Sequence, residues 1–305
     1  MEKLETAFNQ EAILAAKSYG IGRLMKENPI NGGTTSNARR LDTESGRYVL
    51  RKLSGIVQAR NEQSVSQVLK GLNVCPEIMT DAAGSGWISG PDGYYNVQRW
   101  IEPLPNRPMI PDYAELGEKV GLMHAALRGK RLDAQTDRFD LERTWSSFLS
   151  KQVRTDIEYK PLVRRMIRDI EACLTESGSS TPSVPIHGDL GVWNVVFGSN
   201  GVRIIDFGEL RYGHPLFDLA ALLASTLDVS DRKAEDRLAA CIRAYRIHAE
   251  DFEPDALARQ IRLWNVRGAA AILDKNGLNE KTAGYANRVM DQHEAFAGLL
   301  KNKGG

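Results

Sequence analysis

Cysteine is scarce in this 305-residue chain: Cys75, Cys173 and Cys241 are the only three, and they lie far apart. No two have the spacing of metal ligands, and an odd three do not make a disulfide framework, so they read as reduced and partly buried. Long apolar runs are also missing. No stretch reaches the roughly 18 residues of a membrane-spanning helix. An excess of either charge is absent as well, with 40 basic residues against 39 acidic ones and a net charge of +1. The chain as a whole therefore carries no footprint for a polyanion, and neither nucleic acid nor a membrane is expected as a partner. Residues 1–19 show no basic leader followed by an apolar core. With 42% hydrophobic and 26% charged residues, the expectation is a cytoplasmic globular protein.

Hydrophobic periodicity divides the chain in two. A helix is expected over about 2–17, with Leu4, Phe8, Ala12 and Leu14 at near-helical spacing. Extended segments follow at Gly22 to Ile30, Ala38 to Thr43 and Arg47 to Leu53, separated by Asn31-Gly32-Gly33 and Glu44-Ser45-Gly46. A second helix is expected from Gln58 to Leu72, with Val65, Val68, Leu69 and Leu72 as its stripe. Two more strands are expected at Gly86 to Ser89 and Tyr94 to Trp100, around the turn Gly90-Pro91-Asp92-Gly93. Four prolines between Pro103 and Pro111 mark a link. Beyond it helical patterns dominate, at about 112–127, 140–151, 162–175, 216–227, 232–249, 254–273 and 281–301. One β-like island interrupts them: Asn194 to Phe197, a Gly198-Ser199-Asn200-Gly201 turn, then Val202 to Ile205.

That island sits inside the most informative segment, Ile186-His187-Gly188-Asp189-Leu190-Gly191-Val192-Trp193-Asn194, followed by Asp206-Phe207-Gly208. Its polar members read H-x-D-x-x-x-x-N, then a tight hairpin, then D-F-G. Phosphoryl transfer to a hydroxyl asks a protein for positioning and charge neutralisation more than covalent chemistry. Asp189 on a loop can accept the proton of an incoming hydroxyl. Asn194 and Asp206 supply hard oxygen ligands suited to magnesium, and the short hairpin brings them together. His187 reads as an orienting member of the catalytic loop.

The stretch HGDLGVWNVVF…IIDFGELRYGHPLFDLA resembles the paired motifs of the aminoglycoside phosphotransferase/choline kinase-like family, small-molecule kinases of the protein-kinase-like fold. The resemblance runs from about Gly22 to the C-terminal helices and is strongest from Val184 to Ala221. It implies an α+β, bilobal protein-kinase-like fold. An antiparallel β-sheet N-lobe with one helix (1–101) would be followed by a mainly helical C-lobe (102–305) holding the catalytic loop and acceptor pocket. It also implies ATP and Mg2+ as cofactors, Asp189 as base, Asn194 and Asp206 as metal ligands, and Asp218 as a residue that holds the catalytic loop.

In the N-terminal half, Gly32, Gly33, Thr34, Thr35 and Ser36 form a candidate phosphate-covering loop, because glycine lets backbone amides approach phosphate closely. Strand alternation puts Val49, Arg51 and Leu53 on one face and Tyr48, Leu50 and Lys52 on the other. By resemblance Arg51 holds the phosphate-binding cation position, with Lys52 as the alternative and Glu62 as the partner that fixes it. The family's hinge falls at Arg99 to Ile101, where main-chain groups would meet the adenine.

Gly191 stands where protein kinases carry a lysine, and the chain has no A-P-E and no room for a peptide-docking segment. The expected acceptor is small and hydroxylated. Amino sugars and amino alcohols of the aminoglycoside type come first, with homoserine, choline or methylthioribose as alternatives and a non-catalytic nucleotide-binding module as a third reading. Glu209, Arg211, Tyr212, Trp264 and Arg267 are the candidate acceptor-lining residues.

Overall fold

The computed structural model describes residues 8–30, 38–106, 108–133, 135–151, 159–176, 183–249 and 252–301. In chain order the elements begin with α1 (Gln10–Ser18), β1 (Leu24–Pro29), β2 (Ala38–Thr43), β3 (Gly46–Leu53) and α2 (Ile56–Val68). Next come β4 (Ile88–Gly90), β5 (Gly93–Arg99), α3 (Tyr113–Leu127), α4 (Leu141–Lys151) and α5 (Lys160–Glu176). Then follow β6 (Val184–Ile186), β7 (Val195–Gly198), β8 (Gly201–Ile204) and β9 (Arg211–Gly213). The chain ends with α6 (Leu216–Thr226), α7 (Ala234–Arg246), α8 (Pro254–Asn276) and α9 (Glu280–Lys301). Contacts group them into two compact units: Met1–Met109 with Ala125–Gln135 and Trp193–Leu210, and Ile110–His124 with Thr136–Val192 and Arg211–Gly305.

The first unit is built on an antiparallel sheet of five strands in the order β1-β2-β3-β5-β4. One sheet face carries Leu41, Tyr48, Leu50, Tyr95 and Val97 and packs under α1, whose Ala12, Ala15 and Ala16 let it sit close. Of the expected stripe, Ala12 is buried but Leu14 is exposed, and Ala15 and Ala16 face inward in its place. Helix α2 buries a polar stripe, Gln58 and Glu62, beside Ala59 and Val65, and Leu72 lies beyond its end. A helix that buries carboxylate and amide needs charged partners on the facing strand, and β3 supplies one. The β7/β8 hairpin also belongs to this unit. Leu104 N–H donates to Phe197 O at 2.8 Å and Ile204 N–H to Val74 O at 2.8 Å.

In the second unit α4, α5, α8 and α9 share a core that includes Trp145, Phe148, Met166, Ile170, Val266 and Met290. Helix α6 is buried from Leu216 to Leu223, as its nearly uninterrupted apolar sequence requires. Strands β6 and β9 pair antiparallel, Val184 with Gly213 and Ile186 with Arg211. The sequence pattern gave no sign of this pair, since three residues are too few to show alternation. Among the described residues, no helix is long and apolar enough to cross a membrane.

Helix α3 approaches α7 through glycine. A Cβ at Gly117 would collide with the Cys241 carbonyl oxygen, whereas one at Gly298, exposed on α9, would meet nothing within 4 Å. Gly117→Ala should therefore lower unfolding free energy by about 2–3 kcal/mol through overpacking against rigid backbone. Gly298→Ala should raise it by about 0.5–1 kcal/mol through helix propensity. Urea unfolding of the full chain measures both, and a shift of the same sign in the two variants would contradict this packing.

Candidate active site

Alternation on β3 decides where its two cations go. Arg51 faces α2, with only 7% of its surface exposed. Its Nη1 donates to both oxygens of Glu62, at 3.2 and 2.9 Å, and its Nη2 donates to Asp206 Oδ1 at 2.5 Å. Glu62 also accepts from Gln58 Nε2 and from Asn96 Nδ2, each at 2.7 Å. Asn96 stands opposite Arg51 in the β3–β5 ladder. Burial alone would lower the Arg51 pKa, but the charges of Glu62 and Asp206 outweigh it and hold the guanidinium firmly protonated. Lys52 points to the opposite face, where its ammonium pairs with Asp92. One residue's shift along a strand thus takes Lys52 out of the Arg51 cluster.

Asp206 has φ 63° and ψ 70°, a left-handed conformation, and its side chain accepts from Gly208 N–H at 3.3 Å. An L-residue held there costs on the order of 1–2 kcal/mol, and the short turn that follows aims its carboxylate at Arg51. Asn194, only 7% exposed, is joined to the same strand end, since its carbonyl accepts from Ile205 N–H at 2.9 Å. The described residues contain no cluster of three or more His, Cys, Asp or Glu able to cage a metal. One carboxylate and one amide oxygen instead match magnesium, which keeps waters and takes its remaining ligands from phosphates.

Of the residues expected at the hinge, Arg99 spends its N–H on Glu77 O (2.9 Å) and its side chain on the Glu77 carboxylate (3.0 Å). Trp100 N–H donates to Arg47 O at 3.1 Å, whereas Ile101 has no hydrogen-bond partner among the described residues. Gly32, Gly33, Thr34, Thr35 and Ser36 lie outside the described residues.

In the second unit the loop after β6 is fixed by a carboxylate. Asp218 on α6 is fully buried; its Oδ2 accepts from His187 N–H at 2.7 Å and its Oδ1 from Gly188 N–H at 2.9 Å. His124 Nε2 lies 3.0 Å from Asp218 Oδ2, and its Nδ1 lies 3.2 Å from the Tyr245 hydroxyl. Burial alone would raise the Asp218 pKa, but the bond and charge of His124, with His187 and Gly188, hold it below the usual carboxylate range. Further along the loop, Asp189 N–H donates to His187 Nδ1 at 3.3 Å, Arg211 Nη1 to Gly188 O at 2.8 Å, and Val192 N–H to Ser225 Oγ at 3.0 Å. Asp189 itself is half-buried, while His187 is fully enclosed beneath it. That burial suits an orienting imidazole better than a proton carrier. His124, Tyr245 and Ser225 were not legible in sequence, because each sits on an ordinary helical stripe.

Beside this loop lies a cavity of about 420 Å³ lined by residues of α4, α5, β6, β9, α6 and α8. Arg211 and Arg267 line it; Tyr212 and Trp264 do not, and Glu209 lies in the Phe207–Glu209 turn of the first unit. Arg267 grips Asp137 with two bonds, Nε to Oδ2 at 3.0 Å and Nη2 to Oδ1 at 2.6 Å, and Arg211 Nη2 reaches the same carboxylate at 3.3 Å. Burial would raise the Asp137 pKa, but the two arginines hold it below the usual range. Both guanidiniums also lie over the Phe217 ring, at 4.9 and 5.6 Å.

These observations agree with comparison to known proteins. Residues 26–259, well over half of the chain, match the sequence profile of the APH phosphotransferase enzyme family. No curated protein matches the sequence. Among solved structures, the chain is similar to an amicoumacin kinase in complex with AMP-PNP, Ca2+ and Ami (TM-score 0.69, 11% identity, covering 96% of this chain and 95% of that one). It is similar to an aminoglycoside phosphotransferase from Alicyclobacillus acidocaldarius (TM-score 0.66, 16% identity, 94% of each chain). It also resembles choline kinase LicA from Streptococcus pneumoniae (TM-score 0.60, 16% identity, 94% of this chain and 99% of that one). At these identities the solved structures establish the protein-kinase-like fold, and the profile establishes the family. The chain is a member of the APH family of phosphotransferase enzymes.

Proposed function

We propose that the protein transfers the γ-phosphoryl group of magnesium-bound ATP to a hydroxyl of a small amine-bearing alcohol, with Asp189 as the base. The buried Arg51–Glu62–Asp206 cluster carries this reading. One guanidinium between two carboxylates has a net charge of −1 and presents two Arg51 nitrogens from one rigid strand. Such a cluster suits phosphate oxygens on the arginine side and a divalent cation on the Asp206 side. Magnesium, when bound, neutralises the charge carried by the phosphates.

The chain's own residues divide the remaining work. Arg51, fixed by Glu62, holds the phosphates. The main chain of Ile101 meets the adenine edge. Asn194 and Asp206 hold the metal. Asp189 accepts the hydroxyl proton as the oxygen bonds to the γ-phosphorus and the bond to ADP breaks. Asp218 and His187 keep the Asp189 loop in shape, so no reorganisation is needed when charge develops. The similar solved structures, kinases of amicoumacin, aminoglycosides and choline, support an amine-bearing acceptor.

Asp189→Ala should lower turnover about 10²–10⁴-fold, the usual contribution of a positioned general base, and leave Mg-ATP affinity unchanged. The assay is ATP consumption across amino sugars, amino alcohols and hydroxy amino acids. Equal turnover in variant and wild type would sink the assignment. Wild type that binds Mg-ATP yet phosphorylates none of them would favour a nucleotide-binding module instead. For the metal, Asp206→Asn should abolish most of the affinity that magnesium adds to ATP binding while changing metal-free binding little. Calorimetry with and without magnesium reads this, and an unaltered magnesium effect would remove Asp206 from the metal site.

A further inference from the structure

Helix α6 meets the loop that carries Asp189 at two places. Asp218, in its first turn, holds the loop's beginning through the N–H groups of His187 and Gly188. Ser225, in its last turn, holds the loop's end, where its Oγ accepts from Val192 N–H at 3.0 Å. A heptad spacing returns a helix to the same face within about 20° and advances it by ~10 Å. One face of one helix therefore grips both ends of the loop, and Asp189 lies between the grips.

The local chain has a use for the second grip. Gly188 takes a φ of 82°, and Gly191 N–H donates to Asp189 O at 2.8 Å, so the backbone turns tightly on either side of the carboxylate. Val192 then opens a short 3-10 turn that runs to Asn194. The first N–H groups of such a turn have no partner inside it, and a donor left unmet is costly. The Ser225 hydroxyl meets that donor from outside, at the residue after which the chain leaves the second unit.

The polarity of this hydroxyl is also set. Ser225 Oγ lies 2.8 Å from Ala221 O and 3.0 Å from Leu222 O, so its one hydrogen is engaged by helix carbonyls about a turn back. What faces the loop is a lone pair, which suits an amide donor. Thr226, the next residue, makes the same kind of back-bond, from Oγ1 to Leu222 O at 2.7 Å. Among the described residues, no hydrogen bond joins the Thr226 side chain to the loop.

We propose that Ser225 is a positioning residue for phosphoryl transfer, the second anchor that, with Asp218, fixes where Asp189 stands. It acts through the loop and not by contact with substrate. The proposal rests on the reading of Asp189 as base. A reacting group misplaced by about 1 Å can lose on the order of 10²-fold in rate. The loss belongs to turnover, with nucleotide binding spared.

The test compares Ser225→Ala, Ser225→Thr and Thr226→Ala in the full-length protein; alanine is a good helix former, so α6 is kept. The assay is magnesium- and ATP-dependent turnover of whichever amino sugar, amino alcohol or hydroxy amino acid the wild type phosphorylates fastest. Ser225→Ala is expected to lower kcat about 10–100-fold with the KM for ATP within about twofold of wild type. Ser225→Thr, which keeps a hydroxyl, is expected to recover most of the loss, and Thr226→Ala to behave as wild type. In an Asp189→Ala background, Ser225→Ala should cost less than about threefold, because the residue it positions is gone. A kcat within about twofold of wild type in Ser225→Ala, or the same loss with and without Asp189, overturns the proposal and leaves the kinase reading standing. Full turnover in Asp189→Ala alone removes the base assignment, and no turnover of any acceptor removes the kinase reading; either takes this proposal with it.

Discussion

A guanidinium taken out of water must be matched by carboxylates, and Arg51 imposes that condition on the whole first unit. Its partners come from three places: Glu62 on α2, Asp206 after β8, and, through Glu62, Asn96 on β5. The strand, the helix and the hairpin are thereby fixed in register by one residue. Leaving any member unpaired would strand a buried charge, at a cost of about 3–5 kcal/mol. This explains why α2 buries a stripe that includes Gln58 and Glu62 and reads as only weakly amphipathic. It also explains why the β7/β8 hairpin, late in sequence, groups with the N-terminal sheet.

The same rule acts twice in the second unit with opposite signs. Asp218 is a buried anion surrounded by donors, two of them backbone N–H groups of the loop that carries Asp189. Its charge is what shapes the loop, because those two N–H groups would otherwise have to be met by water or by a different backbone path. Asp137 is an anion between two arginines and is outnumbered by them.

Much of the candidate site was legible in the sequence because it is local. Asp189, Asn194 and Asp206 lie within one motif, and strand alternation puts Arg51 and Lys52 on opposite faces. The helical boundaries of the second unit also followed from apolar spacing. What escaped depends on long-range meetings. His124 touches Asp218 from 94 positions away, and Asp137 meets Arg267 from 130. Neither residue has a local pattern to betray it: His124 continues the buried stripe of Val120, Met123 and Leu127, and Asp137 lies in an irregular segment. The β6/β9 pair was missed for a related reason, since a three-residue strand is specified by its partner and not by its own periodicity.

The left-handed backbone at Asp206 connects these levels. A glycine there would relieve the strain but would remove the carboxylate, and a neutral residue would leave Arg51 with only Glu62. Asparagine, which tolerates the left-handed region nearly as well as aspartate, would keep an oxygen but not the charge. The strain is therefore held by the ion pair with Arg51. Ion pairing and backbone conformation meet at this position, which is why the local rule against positive φ is broken at Asp206 and not at its neighbours.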